Sequence, residues 1–208
     1  MASFLHIIPK KIDGAFVFSG GMIIDADGAK NAYNASNSGL DTNADAMNGN
    51  KYVGVVTING KPFEMPDGSY VSPTSLQDHT KAITDPARYI DASAAPYLAA
   101  CPEFLAMGVK LGDRAIVVYK NNSTGLILGD VSPHNHWCEC SMAAGPAVGL
   151  SGSPRIGGVD SGCIYIVFPG TANSPPWPVS VVEFQQNAFD MFDARGGVAW
   201  LRSLGLVA

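Results

Sequence analysis

No apolar run in this sequence continues far before a glycine, a proline or an Asn-Gly pair stops it. The 23 Gly and 14 Pro are spread along all 208 residues, and helix interiors tolerate neither well. Strands of a few residues joined by turns suit that punctuation, so a mainly β chain with short helices is expected. With 47% hydrophobic and only 15% charged residues, the chain carries enough apolar surface for a core and does not read as disordered. Its length suits one domain over residues 1–208.

The charge balance narrows the partners. Against 18 Asp and Glu stand 13 Lys and Arg, a formal charge of -5 without a basic cluster. A polyanion requires a concentrated basic face, so no nucleic acid partner is expected, whereas a polycation would be attracted. No run approaches the roughly 18 apolar residues that span a bilayer, and no membrane partner is expected. The start, MASFLHIIPKK, lacks the leading cationic segment of a signal peptide. A secreted protein then implies a leader already removed or an export route that reads none; a cytosolic protein is the alternative.

Turn and strand signals divide the chain. GAFVFSGGMIIDADG (14–28) reads as two short strands around Ser19-Gly20-Gly21, the second delivering Asp25 and Asp27 to its end. Residues 31–50 read as a long surface loop. KYVGVVTINGKPFEM is a hairpin candidate turning at Asn59-Gly60, a pair that favours positive φ. Loops and short helical turns are expected over 72–106. Residues 111–133 form the clearest hairpin, with strands at 114–119 and 126–129, a turn at 121–125, and Asp130 carried to the strand's end. GCIYIVFPG (162–170) reads as a core strand. Phe189, Phe192, Val198 and Leu201 fall at helical spacings around a weak point at Gly196-Gly197, predicting a C-terminal helix.

One segment concentrates the chemistry: GDVSPHNHWCECSMAAGPAVGL (129–150). His134, His136, Cys138 and Cys140 alternate as zinc ligands on a strand face would. Four ligands crowded onto one straight strand cannot easily wrap a tetrahedron, so no metal is expected. Cys138 and Cys140 could instead bridge to Cys101 and Cys163; four buried thiols fit equally well. The third reading rests on Asp130 and Glu139. A strand end and the start of a small-residue helix can converge two carboxyls on one cleft, the minimum equipment for glycosidic hydrolysis. Capping roles for both residues are the alternative.

The succession DGAFVFSGGMIIDADGA, GVKLGDRAIVV, GDVSP followed by ECSMA, and GCIYIVFPGT resembles the chitosanases of glycoside hydrolase family 75. The resemblance spans roughly residues 13–170, leaving 171–208 as a C-terminal extension. It implies endo-hydrolysis of β-1,4-linked glucosamine polymers with inversion, using Asp130 and Glu139 and no cofactor. More widely, LGDRAIVV, a turn, LILGDVSP, the AAGPAVGL helix and the GCIYIVF strand are similar to the barrels of expansin-like, barwin-like and rare lipoprotein A domains. That similarity implies a six-stranded double-psi β-barrel core with loop insertions and a C-terminal helix. In related endoglucanases the acidic residue opening the short helix donates the proton, which makes Glu139 the acid and Asp130 the base or its helper.

The same barrel serves peptidoglycan glycan-strand cleavage and non-catalytic binding of cell-wall polysaccharide, so both remain as alternatives. The expected partner is a polysaccharide, taken by a monomer. Glu139, flanked by Trp137 and two cysteines, is expected in apolar surroundings that keep it protonated, and Asp130, at an open strand end, is expected to stay ionised. Asp25 and Asp27 are expected to hold glucosamine ammonium groups, with an Asp-rich turn or loose calcium loop as the alternative; Asp27 is also a candidate base. Trp137 leads Tyr33, Tyr52 and Trp177 as a sugar-stacking candidate. His134 and His136 are candidates for substrate contact.

Overall fold

The computed structural model describes residues 7–207. Its strands are β1 (Lys10–Ile12), β2 (Ala15–Asp25), two short ribbons made of β3 (Met47–Asn48) with β4 (Lys51–Tyr52) and of β5 (Thr57–Ile58) with β6 (Lys61–Pro62), then β7 (Tyr97–Ala99), β8 (Arg114–Tyr119), β9 (Asn122–Asp130), β10 (Glu139–Ser141) and β11 (Val159–Phe168). The main sheet runs β1-β2-β10-β7-β9-β8-β11, and β11 also pairs with β2. Six strands therefore close into a barrel with β1 outside. Pairs β2/β10 and β7/β9 are parallel and the other barrel pairs antiparallel. This is the mainly β, six-stranded double-psi barrel that the sequence led us to expect.

The long strands read as unbroken apolar runs because both of their faces are covered. Phe16, Phe18, Val117, Leu126, Leu128, Tyr165 and Val167 fill the barrel. The alternate residues Ala15, Val17, Ile116, Val118, Ile164 and Ile166 lie under the C-terminal helices. Those helices are α3 (Val181–Asp193) and α4 (Gly197–Ser203), preceded in the chain by the short α1 (Pro102–Ala106) and α2 (Ala144–Ala147). The Ser180 hydroxyl caps α3 by accepting from Glu183 N at 3.1 Å, and Phe184, Ala188 and Phe192 form its buried stripe. The weak point at Gly196-Gly197 is a full break between two helices. Among the described residues, no helix is long and apolar enough to cross a membrane.

Three local expectations need correction. Ser19-Gly20-Gly21 is not a turn, since β2 runs straight through it. A Cβ on Gly21 would sit 2.4 Å from Val159 O, and one on Gly20 would sit 2.4 Å from Cys138 Sγ; these glycines permit close crossing of neighbouring chain. The 111–133 hairpin turns at Lys120-Asn121, not over 121–125, because Tyr119 already pairs with Asn122 and Lys120 adopts φ 54°. The polar Asn122 and Ser123 reflect the exposed end of the ribbon. Within 72–106, β7 is a barrel strand, too short to display a period. The Asn59-Gly60 turn is as expected, with φ 51° and 76° between paired Ile58 and Lys61.

The loops between β2 and β7 pack a second core of small and apolar residues, including Ala26, Ala29, Ala32, Ala46, Val55, Leu76 and Ile90, against Tyr97 and Ile127 of the barrel. Arg155 pins part of this insertion. Its guanidinium donates to the carbonyls of Gly39 (3.1 Å), Leu40 (3.3 Å) and Asp41 (2.9 Å). The cleft described next lies between the insertion and the strand ends it covers.

Candidate active site

Three strands, β2, β10 and β9, deliver acids to one place, with β7 between the last two. In the parallel β2/β10 pair, Glu139 lies opposite Ile23 and Ser141 opposite Asp25. On β9 the register slips, Leu98 pairing with Leu128 but Ala99 with Asp130, so Gly129 is the extra residue of a bulge. A Cβ there would lie 2.6 Å from Tyr97 Cβ, and the bulge re-aims Asp130, as bulges beside functional sites commonly do. A cavity of about 450 Å³ results, lined by Asp25, Asp27, Asp41, Asp45, Asp130 and Glu139 together with His136 and Tyr33.

The hydrogen bonds divide the acids by role. Asp130 Oδ1 accepts from Ser75 N (2.9 Å), Ser75 Oγ (2.6 Å) and Val131 N (2.7 Å). Its second oxygen has no hydrogen-bond partner among the described residues. Asp25 accepts from Tyr97 Oη at 2.6 Å and from Asp27 N at 3.0 Å, while Asp27 accepts from Ser72 Oγ at 2.7 Å. Glu139 Oε2 lies 2.6 Å from His136 Nδ1.

Burial sets the protonation here. Loss of water pushes Asp25 up to about 7, helped by the negative charge of Glu139, and pushes Asp130 up to about 6 against the pull of its three donors. Desolvation, then Asp25, drives Asp27 well above its ordinary range. The expectation that Asp130 stays ionised at an open strand end is therefore altered: the insertion covers it, leaving 8% exposed. The apolar setting expected for Glu139 is also not found. Alternation on β10 turns Cys140 into the barrel core and Glu139 toward the cleft, beside an imidazole, and Cys138, just before the strand, packs in the core as well. Glu139 opens strand β10 rather than a helix; α2 follows only at Ala144.

One oxygen each from Asp25, Asp27 and Asp130 lie within 4.8 Å of one another. Such crowding is relieved either by a cation or by protons, and the raised pKa values describe the protonated state. His134, His136, Cys138 and Cys140 do not converge, since positive φ at Asn135 (58°) and Cys138 (66°) breaks the extended run. The four cysteines are buried free thiols.

The remaining candidates lie elsewhere. His134 is exposed and pairs with Glu103 at 2.8 Å. Trp137 packs on Phe104 and Phe18, with ring centroids 5.4 and 5.7 Å away, and does not line the cavity. Tyr52 meets Tyr70 edge-on, and Trp177 packs against the second core. Sequence reasoning did not single out Ser75, Ser72, Tyr97, Asp41 or Asp45. Ser72, Ser75 and Tyr97 meet acids from distant segments, and Asp41 and Asp45 bond locally to Thr42 but reach the cleft only through the fold of the insertion, so no local motif marks any of them. The chain matches no protein-family model and no curated protein.

The buried protons have a consequence for stability. Asp25 and Asp130, raised from 3.8 to about 7 and about 6, bind protons in the folded chain that the unfolded chain has already released. Their stabilising contribution is complete below about pH 4 and is lost as pH rises through about 6 to 7. Relative to wild type, Asp25→Asn is therefore expected to gain in Tm as pH is raised from 4 to 8. Thermal denaturation of both proteins across that range measures it; a constant Tm difference would mean that Asp25 is not protonated when folded.

Proposed function

We propose that this chain is an endo-acting, inverting glycoside hydrolase that cleaves β-1,4-glucosamine linkages of chitosan. The observation that carries the reading is the lining of the cleft: six carboxyl side chains and, among the described residues, no Lys or Arg. A polymer bearing an ammonium group on every sugar is attracted into such a site. A peptidoglycan strand, with acetylated amines and lactyl carboxyls, would lack that attraction and meet repulsion. The succession of motifs that resembles family 75 chitosanases supports the same reading.

In the proposed reaction, Glu139 gives its proton to the glycosidic oxygen as the bond to the anomeric carbon breaks. Asp130 takes a proton from a water that attacks the opposite face of the sugar. Three donors fix Asp130 through Oδ1, leaving Oδ2 for the water, and a base with a pKa near 6 is well matched to work close to neutrality. Asp25 and Asp27 form the buried wall, where an incoming ammonium group would displace the protons that burial leaves on them. An enzyme acting on such a polymer is expected to be secreted.

Mass spectrometry of products from fully deacetylated chitosan tests the reaction class. Short glucosamine oligomers with new reducing ends are expected. Binding without new ends would leave a wall-binding module, and release of muropeptides from sacculi instead would move the substrate to peptidoglycan.

A further inference from the structure

We propose that His136 and Glu139 work as one proton-holding unit, in which the imidazole positions the carboxyl and keeps available the proton that Glu139 delivers to the departing sugar oxygen. The inference rests on the hydrolase reading above and assigns His136 a role that the two-carboxylate scheme does not require.

The geometry is local and specific. Nδ1 of His136 and Oε2 of Glu139 are 2.6 Å apart, with side-chain exposures of 25% and 16%. At that separation a proton must lie between the two atoms. The backbone that carries the ring is held in place: Pro133 O accepts from His136 N at 3.0 Å, and Ser132 Oγ donates to His136 O at 2.6 Å. Left-handed backbone at Asn135 and Cys138 folds the segment so that residues 136 and 139 meet. With Oε2 engaged, Oε1 is left for the substrate.

The proton balance follows. The pair rests as imidazolium and carboxylate; in the reactive form the Nε2–H bond has broken and that proton has passed through water to Oε1 of Glu139, while Oε2 still accepts from Nδ1–H of the now neutral imidazole. The O–H bond on Oε1 breaks and a new one forms on the leaving glycosidic oxygen. The carboxylate left behind is stabilised by the bond from Nδ1. A proton from water restores the pair before the next turnover.

Charges facing His136 act in the same sense. Its pKa is raised, first by the hydrogen bond to Glu139, against a lowering by burial, and then by the charges of Glu139 and of Asp25 at the end of β2. Asp27, Asp41, Asp45 and Asp130 line the same cavity, and no Lys or Arg among its lining residues opposes them. The pair therefore holds its shared proton above the ordinary imidazole range, and the alkaline limb of activity belongs to the pair rather than to a carboxyl alone.

Two measurements separate this inference from the reading it rests on. NMR titration of the imidazole is independent of any substrate: His136 is expected to titrate above an ordinary histidine in wild type and to fall toward it in Glu139→Gln. For hydrolysis, His136→Ala is expected to lower kcat by about tenfold to a hundredfold with little change in KM, the scale of a misplaced reacting group. Its alkaline limb should move to lower pH. His136→Gln, which can still donate to the carboxyl, should recover part of kcat but not the limb.

An imidazole that titrates normally, or is unmoved by Glu139→Gln, would overturn the inference whatever the hydrolytic result. So would an unchanged pH profile in a folded, active His136→Ala protein. A coupled titration in a wild-type protein that cleaves no chitosan would overturn the hydrolase reading, and the catalytic role of the pair with it.

Discussion

Glu139→Gln is expected to reduce chitosan hydrolysis about a thousandfold while leaving the fold intact, within the range that removal of a general acid usually costs. The amide has the volume of the carboxyl and can still bond to His136, so neither packing nor the cleft's shape should change. What disappears is the transferable proton. Asp130→Asn should be as severe for the complementary reason. Its amide oxygen can still accept from Ser75 and Val131, but the group can no longer take a proton from water. Initial rates on soluble chitosan oligomers, read beside melting temperatures, check both variants. Near wild-type turnover in Glu139→Gln would remove Glu139 from the acid role.

The second large effect concerns the turn that leads into β8. Asp113 is fully buried, and its carboxyl accepts from Lys110 N at 2.8 Å, Thr171 N at 2.8 Å and Ala172 N at 3.0 Å. It thereby ties the turn before β8 to the segment after β11. Asp113→Ala removes one acceptor group and strands three amide donors, each costing about 1–3 kcal/mol where water cannot follow. Thr171 and Ala172 are only half-buried, so some water will follow, and a loss of about 3 kcal/mol is expected. For a chain of this size that lowers Tm by about 10 °C. Asp113→Asn, which keeps one acceptor oxygen, should lose less. Urea unfolding of the three proteins measures the difference, and a loss under about 1 kcal/mol for Asp113→Ala would show that solvent replaces the carboxyl.

Legibility in the sequence followed the range of the interaction. β8, β9 and β11 were visible because long strands covered on both faces leave unbroken apolar runs. β7 and β10, three residues each, owe their existence to partners on either side and leave no period to detect. Ser19-Gly20-Gly21 was misread because glycine marks a turn and a close crossing equally well; only the position of β11 decides between them. At the site, Asp130 was legible as the acid that ends a strand. Its burial was not, because that depends on Ser75 and an insertion 55 residues away in sequence. The His136–Glu139 pair spans only three residues, yet it depends on two left-handed conformations, one at Asn135, a residue type that favours it, and one at Cys138, which nothing in the residue type announces.

The barrel is closed by pairing β2 with β11, the earliest of its strands with the latest. During synthesis, therefore, β2 leaves the ribosome long before the strand that completes it. Until Val159–Phe168 has emerged, β2 lacks its β11 neighbour, and β10 must also find it in parallel, a pairing with no tight turn to guide it. Contacts of such long sequence separation fold slowly and leave exposed edges open to misassociation. The acidic cleft is thus a late product of folding: a ribosome stalled before β11 would hold all six carboxylates of the site on a chain that cannot yet bring them together.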